Sequence, residues 1–482
     1  GGSSSSSSSS AIAKKRTKKK PIVIEDEGDF VPYNELSDDP SSSSSEDEGR
    51  DGYKKGGYHR VKVGEVYRSS YIIVKKLGWG HFSTVWLARD KVKDRYLALK
   101  FVKSASHYSE AARDEIKLLR TCKEKDPEDK FHIVRMEDDF RYEGPNGKHI
   151  VMVFEVLGRN LLDLIESHKY GLPVPVVKSI TKQILIGLDF LHTTCSIIHT
   201  DLKPENVLLV QPINKRKFRK LEAKARQTPV RKADLEVLEQ PAVTKVKIAD
   251  LGNACWVHNH YTDDIQTRQY RSPEAIVRYK YDTKADLWSL ACMVFEMLTG
   301  DLLFKPKKGK HYSKSEDHLA LILELLDQNM PKDLLSGKDA RSYFEGGRLI
   351  AFKTLKVWVL ADVLEQKYKM PRGEAEEIAA FMMPMLKLHP VDRASAAEML
   401  QHPWLADADT DIPIEFRQGP QGEEDGSHSD RGSSKSSAAS QEDGSEQSMD
   451  DDDEEDDEEG ASEKQETDED EGPRTRSKRT RG

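Results

Sequence analysis

The sequence predicts an α+β protein: a two-lobed body, a small β-rich lobe followed by a larger, mainly α-helical one, between disordered ends. Three observations carry that expectation. From Tyr67 onward the residues fall into short β-rich runs; from Val176 to His192 apolar residues recur at helical spacing; and the two extremities are nearly free of large apolar residues. With 33% charged and 37% hydrophobic residues among 482, the chain is too polar to fold throughout, and the body is expected to span roughly 340 residues.

Residues 1–58 are expected to be a disordered extension, with serine tracts at 3–10 and 41–45 and the acidic Glu46-Asp47-Glu48. The basic run at 14–20 reads either as a nuclear import or nucleic-acid patch or as a solvated tail. Residues 406–482 form a second such extension, where ten consecutive acids from Asp450 to Glu459 repel one another and stay solvated. That run could also hold off or mimic a basic partner, and the chain turns basic again from Arg474 to Arg481. The net charge of −9 therefore conceals a strong segregation of sign. Four scattered cysteines without a C-x-x-C pair argue against a disulfide framework or zinc site and fit a reducing compartment. No apolar run approaches the ~20 residues of a membrane span, and no signal peptide is evident, so a soluble intracellular protein is expected. The start, Gly1-Gly2-Ser3 without methionine, suggests a processed, truncated or engineered terminus.

Within the body, a strand from Tyr71 to Leu77 leads into Gly78-Trp79-Gly80-His81-Phe82-Ser83-Thr84-Val85. Two glycines between strands let backbone approach phosphate closely, although such a hairpin alone is more often a tight turn. Lys100 follows between Ala98-Leu99 and Phe101-Val102 and needs a reason to sit among apolar neighbours. A helix follows, its apolar face set by Ile116, Leu118 and Leu119, with Asp114 and Glu115 as candidate partners for Lys100. Ile150 to Phe154 reads as a buried strand ending in Glu155-Val156-Leu157-Gly158, and 176–192 as a helix whose His192 is an end-packing residue. Residues 211–242, rich in Lys and Arg, interrupt what a few residues could connect and are read as a flexible spacer.

The most informative stretch is Ile198-His199-Thr200-Asp201-Leu202-Lys203-Pro204-Glu205-Asn206-Val207-Leu208-Leu209. Its polar centre, flanked by apolar residues, can present a base to a hydroxyl, a cation to phosphate and an amide oxygen to a metal at once. Phosphoryl transfer needs those parts, being mostly positioning and charge neutralisation.

The loop resembles the catalytic loop of protein kinases, with Thr200 where that family's arginine stands. Asp250-Leu251-Gly252 resembles D-F-G, Ser272-Pro273-Glu274 resembles A-P-E, and the motifs run in order over residues 67–405, an N-lobe at 67–157 and a C-lobe at 158–405. This implies the bilobal kinase fold, with ATP and Mg²⁺ as cofactors. Leu77, Gly78, Trp79, Gly80, His81, Phe82, Ser83 and Val85 would cover the nucleotide, Ala98 and Leu208 line its pocket, and Glu155 and Leu157 meet adenine through their main chains. Phe154 would close the back of that pocket. Lys100 paired with Glu115 would set the phosphates, Asn206 and Asp250 hold Mg²⁺, Asp201 act as base and Lys203 neutralise the γ-phosphate. Arg393 is expected as the buried partner of Glu274, and Asp286 as the anchor of the catalytic-loop backbone.

The longer stretches 78–87, 153–158, 199–208 and 264–272, together with the spacer, resemble the SR-protein kinases in a compact, fungal-type form. That resemblance implies serine phosphorylation in the Arg-Ser repeats of splicing or RNA-shuttling factors, without direct nucleic-acid or membrane binding, by a monomer in cytoplasm and nucleus. Asp301, Asp317, Glu324 and Lys356 match the family's docking groove, and seven-residue spacing puts Asp317 and Glu324 on one helix face. Arg268 and Arg271 would receive phosphate already on the substrate. Thr200 leaves no buried cation awaiting a phosphate, which suggests activity without activation-segment phosphorylation. A related dual-specificity kinase would not need the acidic groove, a pseudokinase scaffold is opposed by intact Lys100, Asp201 and Asp250, and an acidic-tail chaperone leaves 67–405 unexplained.

Overall fold

The structure, a computed structural model, describes residues 52–211, 214–225 and 244–411. Its first layer is one antiparallel sheet of six strands: β1 (Val66–Tyr67), β2 (Tyr71–Gly80), β3 (Ser83–Asp90), β4 (Arg95–Val102), β5 (Met136–Gly144) and β6 (Gly147–Phe154). They lie in the order β1-β2-β3-β4-β6-β5. Helix α1 (Ser106–Lys125) follows β4 and buries Ala112, Glu115, Ile116, Leu118, Leu119 and Cys122. Glu115 is the one acid in that stripe, so the helix carries a carboxylate into the interior as the price of its position.

The second lobe begins with α2 (Leu161–Glu166), closed at its start by a capping box between Asn160 and Asp163, and α3 (Val174–Asp189). A π-helical turn over Phe190–Cys195 prolongs α3, and Ser196 ends it in the left-handed region at φ 57°. The short strands β7 (Ile197–Ile198) and β8 (Val207–Leu209) flank the catalytic-type loop. Helix α4 (Lys215–Ala225) comes next, then β9 (Val246–Ile248), paired antiparallel with β8, and β10 (Cys255–Trp256), paired with β7. Beyond these are α5 (Pro273–Ile276), α6 (Lys284–Thr299), α7 (Lys314–Leu326), α8 (Ala340–Tyr343), the hairpin β11 (Phe344–Glu345) and β12 (Arg348–Leu349), then α9 (Leu360–Gln366), α10 (Arg372–Met382) and α11 (Ala396–Leu400). Helix α6 is buried from Ala285 to Thr299 on every face and is the axis of this lobe. A helix apolar all round belongs in an interior, and each fully buried Leu or Phe contributes about 1.5–3 kcal/mol.

Three boundaries differ from the sequence reading. The N-terminal extension was expected to reach residue 58, yet Gly52–Tyr58 fold and Tyr58 is buried; residues 1–51 lie outside the described residues. At the other end the fold continues past 405: Lys178 pairs with Asp407 at 2.8 Å and Lys182 donates to the Ala408 carbonyl at 2.9 Å. Residues 412–482, with the acidic run, lie outside the described residues. The spacer 211–242 is not wholly a tether, because Phe218 and Leu221 of α4 are buried with Val74, Leu87, Tyr96 and Val156 of the small lobe. Two apolar residues three apart suffice to pin one face of a helix otherwise rich in lysine and arginine. The rest of that spacer, 212–213 and 226–242, lies outside the described residues.

Candidate active site

The loop between β7 and β8 is held from beneath by Asp286, which lies on buried α6. Its carboxylate accepts the His199 and Thr200 amides, each at 2.9 Å, and meets His192 Nε2 at 2.8 Å. Burial works to raise the Asp286 carboxyl, but the bonds and charge of His192 and His199 outweigh it and keep the group below its usual range. His192, read from the sequence as helix-end packing, thus also bonds the carboxylate that anchors the loop. His199 lies 3.0 Å from the Ala249 carbonyl through Nε2, so Nδ1 is left to accept the Asp201 amide at 3.3 Å. Thr200 sits at φ 63°, a costly conformation for a β-branched residue. Its two bonds hold it there: the amide to Asp286, and Oγ1 to the Asn253 carbonyl at 2.7 Å.

Asp201 is wired on both oxygens. Oδ1 accepts the Thr267 hydroxyl at 2.7 Å and the Thr267 amide at 3.2 Å, while Oδ2 faces Lys203 Nζ at 3.2 Å and Asn253 Nδ2 at 3.3 Å. Lys203 also donates to the Thr267 hydroxyl at 2.9 Å. Carboxylate, ammonium and hydroxyl therefore form one closed set, a base with an aimed lone pair beside a cation. Asn206 donates through Nδ2 to the Asp201 carbonyl at 2.8 Å, which leaves its amide oxygen for another partner. The Ala249 amide donates to the Asn206 carbonyl at 2.8 Å, tying this residue to the segment that carries Asp250.

From the small lobe, Lys100 reaches Glu115 at 2.9 and 3.1 Å and Asp250 at 3.1 Å. Glu115 is thereby chosen over Asp114, which pairs with Lys117 at the surface at 2.7 Å. Burial works to lower the Lys100 pKa, but the Asp250 and Glu115 charges outweigh it and raise the group above an ordinary lysine. The Lys100 charge in turn holds the Asp250 carboxyl below its usual range. Opposite, β2 and β3 pair Gly78 with Val85 and Gly80 with Ser83. A Cβ built on either Gly78 or Gly80 meets nothing within 4 Å, so the space over this hairpin is open to a ligand. Val85 pairs with Lys100 in register, and Ala98 with Phe154. Leu77, Phe154, Leu157 and Leu208 are half-buried, as expected of the walls of a cleft. The Glu155 side chain bonds Lys247 at 2.7 Å and the Arg135 amide at 2.8 Å.

The docking set is gathered more loosely. Asp317 and Glu324 share α7 as expected, but each already accepts a backbone amide, Lys307 at 2.8 Å and Lys356 at 2.7 Å. Asp301 is engaged by the Tyr368 hydroxyl at 2.8 Å and Lys367 at 3.2 Å. Lys356 is exposed beside Glu324. Arg268 reaches α7 through Ser315 Oγ at 3.0 Å, whereas Arg271 turns onto the Gln266 carbonyl at 2.8 Å and Asp264 at 3.2 Å. Two site residues have no marked place in the sequence reading, Thr267 and Asn253. The signal for Asn253 is its place three residues after Asp250; Thr267 has none until the segment folds back over the loop.

Comparison with known proteins agrees with this geometry. Residues 71–405 match the protein kinase domain. A serine/threonine-protein kinase SRPK of Physarum polycephalum is 55% identical over 394 residues, covering 75% of this chain and 92% of the relative. Protein kinase dsk1 of Schizosaccharomyces pombe is 40% identical over 473 residues, 77% and 87% respectively. SRSF protein kinase 3 of Homo sapiens is 38% identical over 516 residues, 76% and 91% respectively. The chain belongs to the SR-protein kinase family. It is a protein serine/threonine kinase, and the Glu274–Arg393 pair beneath its activation segment (2.7 and 2.9 Å, both side chains fully buried) is the one the sequence suggests.

Proposed function

We propose that this kinase transfers the γ-phosphoryl group of ATP to serines in Arg-Ser repeats of SR-type splicing or RNA-shuttling factors. The observation that carries the reading is the Lys100–Glu115–Asp250 bridge standing across the cleft from the Asp201–Lys203–Thr267 set. Asp201 accepts the proton of the substrate hydroxyl as its oxygen attacks phosphorus and the bond to the leaving ADP oxygen breaks. Thr267 fixes the orientation of that carboxylate, and Lys203 meets the charge of the transferred group. Lys100 binds the α- and β-phosphates, and Leu77, Val85, Ala98 and Leu208 exclude water around the base. Asn206 and Asp250 are the residues that would hold Mg²⁺; an amide oxygen and a carboxylate suit a hard cation that takes its remaining ligands from phosphate and water. Held there, the ion would supply charge neutralisation for the phosphates.

For substrate choice, an Arg-Ser strand carries a positive charge at every second residue and suits a face bearing Asp317, Glu324 and Asp301. Arg268 is the better candidate of the two arginines to receive phosphate, because Arg271 is occupied within its own segment. The Thr200–Asn253 bond replaces a cation awaiting phosphate with a neutral contact, which supports activity without activation-segment phosphorylation. The kinase would act as a monomer in both cytoplasm and nucleus.

The test is phosphosite mapping of an Arg-Ser peptide with ATP and Mg²⁺, comparing wild type with Asp201→Ala and with charge reversal at Asp317 and Glu324. Labelling by wild type, none by Asp201→Ala and a selective rise in peptide KM on charge reversal are expected. A wild-type enzyme that leaves the peptide unlabelled would overturn the reading; labelling indifferent to the acids would remove the groove alone.

A further inference from the structure

The sequence Gly52-Tyr53-Lys54-Lys55-Gly56-Gly57-Tyr58 precedes the kinase-domain match at residue 71, and nothing in the catalytic description uses it. It is nevertheless built to one shape. Gly56 lies at φ 88°, which glycine alone adopts freely, and a Cβ on Gly57 would stand 2.1 Å from the Gly52 carbonyl oxygen. The result of that turn is the place of Tyr58, only 3% exposed, whose hydroxyl donates to the Gly80 carbonyl at 2.8 Å. Gly80 is the second glycine of the β2–β3 hairpin over the cleft.

The same few residues hold the start of α1. The Ser104 amide donates to the Gly57 carbonyl at 3.1 Å, and the Ala105 amide to the Gly56 carbonyl at 2.9 Å. Asn146 Nδ2 donates to the Tyr58 carbonyl at 2.7 Å. Lys103 Nζ stands 4.5 Å from the Tyr58 ring centroid and 5.4 Å from that of Tyr108, and its amide donates to the Phe82 carbonyl at 2.9 Å. Tyr108 in turn lies 3.3 Å from His81 Nε2. One strap therefore touches both the tip of the glycine hairpin and the helix that delivers Glu115 to Lys100.

We propose that Gly56-Gly57-Tyr58 is a positioning element for the nucleotide phosphates, with the Tyr58 hydroxyl holding the glycine hairpin at its working height above Lys100. The idea rests on the nucleotide-binding reading of that hairpin. A hairpin of two glycines is intrinsically loose, and fixing it before the ligand arrives removes an ordering cost that binding would otherwise bear. One net hydrogen bond to a backbone carbonyl corresponds to about threefold to tenfold in affinity.

The experiment uses the full chain and two readouts, calorimetric titration with ADP and Mg²⁺ and steady-state kinetics on an Arg-Ser peptide. Tyr58→Phe, which keeps the ring and the Lys103 contact, is expected to weaken ADP binding and raise the ATP KM about threefold to tenfold. Peptide KM at saturating ATP is expected to stay at the wild-type value, and the thermal midpoint to fall by no more than a few degrees. Gly57→Ala should displace the whole strap, and the double variant should be no weaker for ADP than Gly57→Ala alone, since both act through one bond. If Gly57→Ala fails to fold, Tyr58→Phe decides by itself. Wild-type ADP affinity in Tyr58→Phe, or ATP and peptide KM rising together, overturns the proposal. Failure of the wild-type protein to bind ADP would instead overturn the nucleotide reading beneath it.

Discussion

Two buried acid–base pairs, Glu274–Arg393 in the large lobe and Lys100–Glu115 in the small one, are built differently. In the large lobe Arg393 meets Glu274 through a two-pronged contact at 2.7 and 2.9 Å, with both side chains at 0% exposure. Its remaining donors reach the Lys284, Lys387 and Leu388 carbonyls, and its guanidinium lies 5.2 Å from the Trp288 ring centroid. Nothing is left over for a ligand. In the small lobe Lys100 is a point charge shared between Glu115, 5% exposed, and Asp250, 48% exposed. Two carboxylates around one ammonium keep a net negative charge on the open side, which is what a phosphate-bound cation would neutralise. A saturated pair holds the fold, and an unsaturated one keeps capacity for chemistry.

Removing a cation from each pair should separate those roles. Arg393→Met leaves Glu274 buried and uncompensated and is expected to lower unfolding free energy by about 3–5 kcal/mol in guanidinium titrations, with the surviving folded enzyme still active. Lys100→Met also strands Glu115, but beside a cleft that opens to water at Asp250, so it should cost less stability and lower kcat/KM by about a hundredfold to a thousandfold. Equal stability losses in the two variants would erase the distinction.

Glu296 extends the contrast to an acid that accepts from a hydroxyl, Tyr270 at 2.7 Å, in place of a cation. Burial pushes its carboxyl up to about 7, with the Glu205 and Glu166 charges adding to the rise and the Tyr270 bond opposing it. A folded pKa raised above the unfolded one means that the folded state holds a proton the unfolded state has released. The stabilisation from this group is full below the ordinary carboxyl range and is lost as pH rises to about 7. The loss comes to about 3 kcal/mol. Glu296→Gln keeps an acceptor for Tyr270 and should flatten that part of the curve. Unfolding free energies of both proteins at pH 5 and pH 8 check it, and an identical fall in the two would refute the assignment.

The unsaturated pair was legible in sequence because its chemistry dictates residue type: a lysine among apolar neighbours, an acid on the buried face of a helix, an aspartate before glycine. The helical stripe left Glu115 and Asp114 both open, and the kinase resemblance favoured Glu115. Thr267 was not legible, since its contact with Asp201 arises only when a distant segment folds over the loop, and Asn253 had no more than its place three residues after Asp250 to mark it. Gly52–Tyr58 read as solvated chain because its partners, among them the Gly80 carbonyl and the Ser104 and Ala105 amides, lie far along the chain. Helix α4 was hidden for a related reason: two apolar residues among lysines and arginines make no recognisable face until Tyr96 and Val156 are known to await them. Leu221→Ala tests that packing. It is expected to cost about 2 kcal/mol, the low end for a buried leucine because α4 borders solvent and can adjust. A change within error would mean that α4 contributes no net stability where it lies.

The smallest expected effect concerns Thr200, where a neutral bond stands in a position that many kinases give to a buried cation. Its hydroxyl donates to the Asn253 carbonyl at 2.7 Å, and Asn253 itself touches Asp201 at 3.3 Å, so the loop and the segment after Asp250 are joined directly. Thr200→Val preserves shape and the strained φ but deletes the bond, a loss of about 1 kcal/mol. If that energy holds the segment in its working arrangement, kcat should fall about fivefold while peptide KM stays constant. Phosphatase treatment should leave the wild-type rate unchanged, because no arginine at this position waits for a phosphate. A wild-type enzyme silenced by phosphatase would show that a modified residue sustains the arrangement. An unimpaired Thr200→Val enzyme would show that the strained threonine serves packing alone.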